Sequence, residues 1–411
     1  MKIGHMDVNS AYLSWEAAYR RSLGEEGDIR ALPSAIGGDK KSRHGIILAK
    51  SASAKERGVK TGETIVSART KCPELLLYSP DYALYKHASD AFNNLLREYT
   101  PLVERYSIDE SFIDLSFAGE NVIALCQEIR MRIEKELGFS VNVGISQNKV
   151  LAKMASELHN QKSIETLYPD ELAEKLWPLP VGEMFMIGRR MRARLAKLGI
   201  YTVGDLARAD EAELLYQFGK YGVMIRNFAS GEKGAPVSAH IPEEKSIGNS
   251  TTFPFDLEGA REIDEALLSL AETVAKRLRN KGKAALKMAV HYRDTNLDVM
   301  RKERVLIKSV HETEDLHREA VRLLHTFWSG ERIRSLGITV GALENHEHES
   351  MDVFTWKGTY VKDTVGLTID ALRARYGDES VFRACFLENR LKPSTGGVFP
   401  DKGTPIAMSK F

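Results

Sequence analysis

The sequence has few cysteines and no long apolar run, and both shortages exclude whole classes of protein. Its three cysteines (Cys72, Cys126 and Cys385) lie far apart and form no CxxC pair, so we expect neither a disulfide framework nor a zinc site. No apolar run approaches the roughly 20 residues that cross a bilayer. Residues 1–10 lack the apolar core and cleavage site of a signal peptide. We therefore expect a cytoplasmic protein that makes no use of a membrane.

The net charge is also close to zero, because 58 Lys and Arg residues balance 57 Asp and Glu residues. The charges are nevertheless segregated along the chain. Residues 276–308 hold eleven basic and three acidic residues, and residues 188–197 hold five basic residues and no acid. Such segregation indicates either a basic stripe on a neutral molecule, suited to a nucleic-acid backbone, or two solvated amphipathic faces.

The 411 residues are enough for several domains, since single cores rarely grow past about 250–300 residues. Apolar spacing predicts alternating strands and helices up to about residue 168, which favours an α+β layer with helices on one sheet face. Ser146 is the predicted N-cap of the helix that follows the strand at 139–146. Residues 169–234 read as wholly helical, 235–241 as a linker, and 242–348 as strands with two long helices.

Three acidic residues carry the chemistry that the sequence suggests. Asp7 ends the first predicted strand, and Asp109 and Glu110 lie at the turn between two short strands. Neighbouring side chains on a strand point to opposite faces, so both can serve one site only where the strand turns or ends. Carboxylates placed in this way could hold two divalent ions for phosphoryl transfer. Mg²⁺ suits such a site, because it takes few carboxylates and completes its shell with water and substrate phosphates.

Four blocks of sequence then resemble the signature blocks of Y-family DNA polymerases, in the family's order. They are HMDVNSAYLSWE at 5–16, SASAKERGVKTG at 51–62, YSIDESFIDL at 106–115 and NVGISQNKVLAKMASEL at 142–158. The DVN opening and the SASAK block look more like the UmuC-type branch than the DinB-type. The resemblance implies a template-directed DNA polymerase that adds deoxynucleotides to a primer 3′-OH, with error-prone lesion bypass in DNA repair.

The same resemblance implies a multidomain α+β architecture shaped like a right hand. It would have a ferredoxin-like palm, small fingers, a helical helix-hairpin-helix thumb and an α/β little finger. The implied bounds are 1–20 and 75–168 for the palm, 21–74 for the fingers, 169–234 for the thumb, 235–241 for a linker, 242–348 for the little finger and 349–411 for a C-terminal extension.

Roles of individual residues follow from the resemblance. Asp7, Asp109 and Glu110 match the catalytic metal-binding carboxylates, and the backbone carbonyl of Val8 matches a further ligand. The expected cofactor is a pair of Mg²⁺ ions, for which Mn²⁺ can substitute. Tyr12 matches the aromatic residue under the sugar of the incoming nucleotide, where a ring against C2′ excludes ribonucleotides sterically.

The expected contacts to the triphosphate depart from the family pattern. Lys55 matches a basic residue of the fingers that reaches the triphosphate. Many relatives have a tyrosine three residues earlier, where this chain has Ala52. A family lysine downstream aligns with Asn160, and the nearby Lys162 could take its place.

Other lysines are weaker candidates. Lys50 and Lys60 are expected to be solvated. Lys149 and Lys153 stand four residues apart on one helix and share a face, which could meet DNA phosphates or water.

Two basic segments are predicted to contact the DNA backbone. MIGRRMRARLAKLGI at 186–200 resembles the helix-hairpin-helix of the thumb, in which amides at a helix N-terminus bind a phosphate without reading bases. EKSIGNSTTF at 244–253 resembles the start of the little finger, which contains the basic excess at 276–308. The predicted DNA-binding residues are Gly188, Arg189, Arg190 and Arg192 in the first segment and Lys276, Arg277, Arg279 and Lys281 in the second.

The expected partners are primer-template DNA and deoxynucleoside triphosphates, bound by a monomeric core. PIAMSKF at 405–411 loosely resembles a peptide that binds a sliding clamp. One alternative is a catalytically silent DNA-binding subunit of a mutagenesis complex. Another is a nucleotidyl cyclase, although GGDK at 37–40 matches the cyclase loop poorly.

Overall fold

A computed structural model describes residues 1–38, 45–158, 163–232, 234–240, 243–346, 356–377, 380–387 and 391. The chain forms two compact units, which divide between residues 242 and 243. Within the described ranges, no helix is long and apolar enough to cross a membrane.

The first unit contains two sheets. Its strands are β1 (Ile3–Val8), β2 (Ser34–Gly37), β3 (Ile47–Lys50), β4 (Leu76–Tyr78), β5 (Val103–Arg105), β6 (Glu110–Asp114), β7 (Val141–Ser146) and β8 (Ile164–Thr166). The larger sheet has the order β5-β6-β1-β7-β8, with only the β7–β8 pair parallel. The smaller sheet has the order β3-β2-β4.

The first unit contains eleven α-helices within the described residues. They are α1 (Ala11–Ser22), α2 (Ala52–Glu56), α3 (Ile65–Lys71), α4 (Tyr82–Arg97), α5 (Val122–Arg132), α6 (Lys149–Glu157), α7 (Leu172–Lys175), α8 (Arg189–Ala196), α9 (Val203–Arg208), α10 (Glu211–Phe218) and α11 (Lys220–Ala229). The described part of 169–232 contains helices and turns and no named strand, as expected.

The predicted N-cap of α6 is wrong. Ser146 ends β7, and its hydroxyl donates a hydrogen bond to Leu167 O. Asn148 caps the helix instead, because its Oδ1 accepts from Leu151 N at 2.8 Å. Two more residues of extended chain therefore separate the strand from the helix than the sequence pattern indicated.

The predicted linker is fastened to the larger sheet. Residues 234–240 form no helix or strand. Val237 is buried in a cluster with Ile3, Tyr106 and Phe112, and Ser238 N donates to Glu104 Oε2 at 2.8 Å. The sequence pattern indicated only a linker at 235–241, and nothing in it predicted these contacts.

The second unit is built on an antiparallel sheet with the order β11-β10-β12-β9. Its strands are β9 (Ser246–Leu257), β10 (Lys283–Asp294), β11 (Val299–Val310) and β12 (Ile333–Asn345), and its helices are α12 (Gly259–Asn280), α13 (Thr313–Leu324) and α14 (Trp356–Tyr376). Residues from α12 and α13 pack with those of all four strands in one apolar core, so these two helices cover one face of the sheet. The two long helices expected between 242 and 348 are confirmed.

Candidate active site

The three predicted carboxylates meet at one end of the larger sheet. β1 and β6 are antiparallel neighbours whose register sets Asp7 opposite Glu110. Asp109 directly precedes β6, and its carbonyl accepts from Val8 N at 3.1 Å. Cross-strand partners project to the same face, so Asp7 and Glu110 share the sheet face that α6 covers, and the turn adds Asp109.

The turn before β6 is held by one serine. Ser107 Oγ donates to Asp109 Oδ1 at 2.6 Å and accepts from the backbone amides of Asp109 and Glu110 at 3.3 and 3.1 Å. These bonds fix the position of the acidic pair. Ser107 thus has a structural role in this turn.

Burial and mutual repulsion perturb two of the acids. Burial, followed by the charges of Glu110 and Asp109, raises the pKa of Asp7 to about 8. Burial raises the pKa of Asp109 as well, although the hydrogen bond from Ser107 opposes the shift. Closely spaced buried carboxylates of this kind favour either a bound proton or a bound cation.

Glu110 has a different environment. Its Oε1 lies 2.6 Å from Lys153 Nζ, and its Oε2 lies 3.8 Å from His5 Nε2. Burial raises the pKa of Glu110, but the contacts with His5 and Lys153 outweigh it and lower that pKa to about 2. Glu110 therefore stays ionised while Asp7 favours its proton, although the two residues are register partners.

The fit of the site to metal ions rests on this donor set. Within the described residues, no group of three or more His, Cys, Asp or Glu side chains is already arranged to hold a metal ion. Mg²⁺ needs no such cage, since one or two carboxylates with water and substrate phosphates suffice. Asp7 and Asp109 face the cavity described next, whereas Glu110 would have to turn from Lys153. These residues therefore fit Mg²⁺, provided that Glu110 turns away from Lys153.

A cavity of about 530 Å³ opens beside the acids. Its lining includes Asp7, Val8, Asn9, Ser10, Ala11, Tyr12, Leu48, Ala49, Lys50, Ser51, Ala52, Lys55, Thr61, Asp109 and Asn142. Six of these fifteen residues come from the end of β1 and the start of α1, and six more come from β3 and α2. The structure thus brings Asp7, Val8, Asp109, Tyr12 and Lys55 to one space, as a nucleotide site requires.

Tyr12 both lines the cavity and packs on an aromatic cluster. Its ring stacks on Tyr85 with centroids 4.6 Å apart and planes 11° apart, and it meets Tyr82 edge-on at 6.1 Å. Burial, followed by the charge of Asp109, raises the pKa of Tyr12 to about 12. This packing in an aromatic cluster is compatible with the predicted role of Tyr12 as a sugar filter.

Lys149 and Lys153 occupy places that the sequence did not suggest. Lys149 Nζ contacts both oxygens of Glu104 at 2.8 and 2.6 Å, and both side chains are buried. Lys153 lies between Glu110 and Glu157. The prediction that this pair meets DNA phosphates or water is wrong, because α6 packs on the sheet and points both lysines at buried acids.

Residues predicted to contact DNA in the first unit are exposed. Gly188 is the N-cap of α8, and the side chains of Arg189, Arg190 and Arg192 lie at its exposed N-terminal end. Their contact with DNA stays a prediction.

Most of the residues predicted to bind DNA at the end of α12 contact other residues of the second unit. Arg279 is 7 % exposed, and its Nε lies 2.8 Å from Asp370 Oδ2 on α14. Arg277 donates to Gly248 O at 2.7 Å, Lys276 is half-buried, and Lys281 Nζ pairs with Glu244 Oε1 at 2.8 Å. The assignment of Arg279 to DNA is corrected, because its guanidinium serves the interior of the second unit.

Two predictions fall outside the described residues. Lys162, the suggested substitute in the triphosphate contact, lies in the gap at 159–162. The suggested clamp peptide at 405–411 lies beyond residue 391.

Comparisons with known proteins agree with this geometry. Residues 6–157 match the impB/mucB/samB family, residues 169–200 match the IMS family HHH motif, and residues 244–353 match the impB/mucB/samB family C-terminal domain. A Y-family DNA polymerase chimera of Dbh and Dpo4 has a similar fold, with a TM-score of 0.73 and 22 % identity over 84 % of this chain and 100 % of that one.

Curated relatives extend the likeness over nearly the whole chain. DNA polymerase IV of Clostridium acetobutylicum is 40 % identical over 95 % of this chain and 99 % of its own length. DNA polymerase IV 1 of Bacillus subtilis is 34 % identical over 97 % of this chain and 96 % of its own. The expected closeness to the UmuC branch stays a prediction, and nothing supports the catalytically silent alternative. Family models and relatives together show that the chain belongs to the Y family of DNA polymerases.

Proposed function

We propose that this polymerase extends the 3′-OH of a primer on a DNA template by a two-metal reaction at Asp7, Asp109 and Glu110. The observation that carries the proposal is the junction of β1 and β6, which sets three acids beside a cavity lined by Tyr12 and Lys55. When bound, a pair of Mg²⁺ ions would activate the attacking oxygen and stabilise the leaving one, and Mn²⁺ can substitute. Asp7, Asp109, Glu110 and the carbonyl of Val8 would hold them.

The remaining steps belong to side chains of the chain itself. Tyr12, held from behind by Tyr85, would close the space at C2′ of the sugar and so reject ribonucleotides. Lys55 would neutralise charge that develops on the triphosphate. Lys153 would keep Glu110 ionised and oriented until the cofactor binds, since its ammonium lies 2.6 Å from that carboxylate.

DNA would be bound through its phosphates on both units. In the first unit, the exposed N-terminus of α8 with Arg189, Arg190 and Arg192 suits a phosphate. In the second unit, we place the contact on the sheet face opposite α12 and α13 rather than on α12. Arg293 and Arg301 are exposed on that face.

Family membership and the small fingers support error-prone lesion bypass as the biological role. The described part of 21–74 contributes the short helices α2 and α3 and the strands β2 and β3 of the smaller sheet. A nucleotide pocket with so little covering structure would tolerate a distorted template base. The monomeric core and the clamp peptide stay predictions.

Primer extension in Mg²⁺ tests the proposal. Asp109→Ala/Glu110→Ala should abolish extension while the affinity for primer-template stays within about threefold, because phosphate contacts elsewhere dominate DNA binding. Asp170→Asn, at an exposed acid remote from the sheet end, should extend like the wild type. Extension that survives the double substitution would show that the metal site is assigned to the wrong residues.

A further inference from the structure

The nucleotide cavity has two walls of opposite charge. The charged residues among those lining it are Asp7 and Asp109 on one side and Lys50 and Lys55 on the other. Asp7 ends β1 and Asp109 precedes β6, whereas Lys50 ends β3 and Lys55 lies on α2. A bound molecule therefore meets carboxylates at one wall and ammonium groups at the other.

Lys50 is only partly solvated, contrary to its sequence-based interpretation. It pairs with Ala35 at the end of β3 and is half-buried. Its Nζ donates to Thr61 Oγ1 at 3.0 Å, and within the described residues no ion pair is formed by Lys50. Burial, followed by the positive charge of Lys55, lowers the pKa of Lys50. The local structure thus holds an ammonium group beside a second cation with a neutral hydroxyl as its partner.

An anion in the cavity would reduce the repulsion between Lys50 and Lys55. Two cations that face one space repel each other, and a phosphate between them converts the repulsion into two charge-assisted contacts. The carboxylate wall excludes an anion from the other side unless metal ions lie between. A substrate with a metal-binding phosphate at one end and further phosphates beyond it matches both walls.

We propose that Lys50 is a second cationic contact for the β- and γ-phosphates of the incoming nucleotide, acting together with Lys55. The inference rests on the proposed function and adds a residue to it. Ala52 lies between the two lysines in sequence and lines the same cavity, and its methyl group offers the phosphates no hydrogen bond. Lys50 supplies from β3 the contact that α2 lacks at this position, with Thr61 holding the ammonium group in place.

Nucleotide binding without turnover tests the assignment directly. The full chain is bound to a primer-template whose primer ends in a dideoxynucleotide, and the Kd of the next correct nucleotide is measured. Lys50→Met should raise this Kd roughly tenfold, which corresponds to about 1.4 kcal/mol. Lys50→Gln, which can still bond to Thr61, should raise it similarly, and Lys50→Arg should stay within about threefold of the wild type. Lys60→Met is the matched control at an exposed lysine outside the cavity lining and should leave Kd unchanged.

Two further measurements distinguish contact of Lys50 with the triphosphate from contact with the base, the sugar or the primer-template. Inorganic tripolyphosphate, which has no base or sugar, should compete with the nucleotide about tenfold less well against Lys50→Met than against the wild type. In extension assays, KM should rise while kcat changes by less than about threefold, as expected when only binding is weakened. The Kd for primer-template should not change.

Three outcomes would overturn the inference. The first is an unchanged nucleotide Kd in both Lys50→Met and Lys50→Gln. The second is unchanged competition by tripolyphosphate, which would direct Lys50 to the base or sugar. The third is weaker binding of primer-template with normal nucleotide binding, which would assign Lys50 to the template strand. A wild type that fails to extend primers in Mg²⁺ would instead reject the proposed function itself. Thermal unfolding of each variant identifies any loss of fold, and whichever uncharged variant folds decides the question.

Discussion

At the scale of single residues, Glu110 shows how neighbours decide the state of an acid. Asp7 and Glu110 are register partners with similar burial, yet their pKa values move in opposite directions. The difference comes from the neighbours of Glu110, which are His5 on β1 at 3.8 Å and Lys153 on α6 at 2.6 Å. Asp7 instead faces two other carboxylates. Lys153 also lies over the rings of Tyr106 and Phe185 at 5.8 and 5.3 Å, so its ammonium group is held from several sides.

Removing the ammonium group of Lys153 should cost more activity and stability than removing that of a surface lysine. We expect Lys153→Met to reduce the rate of primer extension at least about tenfold and to destabilise the first unit by about 3–5 kcal/mol, because it leaves Glu110 buried without its cation. Single-turnover extension and denaturant unfolding measure the two effects. Lys86→Met, which breaks an exposed pair with Asp90, should cost less than about 1 kcal/mol. Normal extension by Lys153→Met would contradict the positioning role.

Asp7 should make the metal-free protein less stable as the pH rises. Its pKa is raised from about 3.8 to about 8 in the folded state, so the folded chain holds a proton that the unfolded chain has lost. That stabilisation is full below about pH 4 and falls by up to about 1.4 kcal/mol per pH unit until about pH 8.

Asp7→Asn removes this dependence. In EDTA, the variant should therefore exceed the wild type in free energy of unfolding at pH 8, and the excess should shrink as the pH falls towards 4. Urea unfolding across that range measures the difference. A constant difference between the two proteins would show that Asp7 ionises normally.

At the scale of elements, the packing of α6 on β7 sets the geometry of the acids. The helix approaches so closely that a Cβ built on Gly144 would lie 1.9 Å from Ala152 O and 2.4 Å from Ser156 N. Only glycine fits a backbone approached in this way. The close approach lets Lys153 reach Glu110 and lets Ser156 Oγ lie 2.8 Å from His5 Nδ1.

Gly144→Ala should therefore disturb both stability and activity. The added methyl group meets backbone atoms, so α6 must move, and we expect a cost of at least about 3 kcal/mol, at the upper end of overpacking effects. Extension should fall as well, because Lys153 moves with the helix. Gly341→Ala is the control, since its added Cβ has no neighbour nearer than 3.5 Å. Equal melting temperatures for the two variants would mean that the helix adjusts freely.

At the scale of the whole molecule, some of the basic residues predicted to bind DNA are buried in ion pairs within a unit and others are exposed. In the second unit, Arg279 and Arg373 on α12 and α14 pair with Asp370 and Glu272 across those two helices. Both arginines are buried, and their ion pairs hold α14 against α12. In the first unit, the arginines at the start of α8 are exposed.

Salt dependence of DNA binding distinguishes the two groups. Replacing Arg189, Arg190 and Arg192 by Ala should make the slope of log K against log salt shallower by about 0.9 for each phosphate that the variant no longer neutralises. Arg279→Ala should leave the slope unchanged and lower the melting temperature instead, because it leaves Asp370 buried without its cation. Fluorescence anisotropy over a range of salt concentrations measures the slopes, and thermal unfolding measures the melting temperatures. If the single substitution Arg279→Ala changed the slope, Arg279 would be a DNA contact after all.

The sequence by itself was enough to predict a candidate active site. Asp7, Asp109 and Glu110 were identifiable because their strand-end positions, their spacing and the surrounding blocks are local features of the chain. The α+β alternation and the helical segment at 169–232 followed from local periodicity in the same way.

Only the tertiary structure decided which charges are partners. Lys149, Lys153 and Arg279 looked like solvent-exposed or DNA-binding cations, because helical spacing reveals a shared face but not what packs against it. The acids Glu104, Glu110 and Asp370 that they contact are 43 to 91 residues away in sequence. Lys50 was likewise judged solvated until β3 and α2 placed it in a cavity with Lys55. Ionisation, burial and pairing depend on groups brought together by folding, so the roles of these four cations could be assigned only in three dimensions.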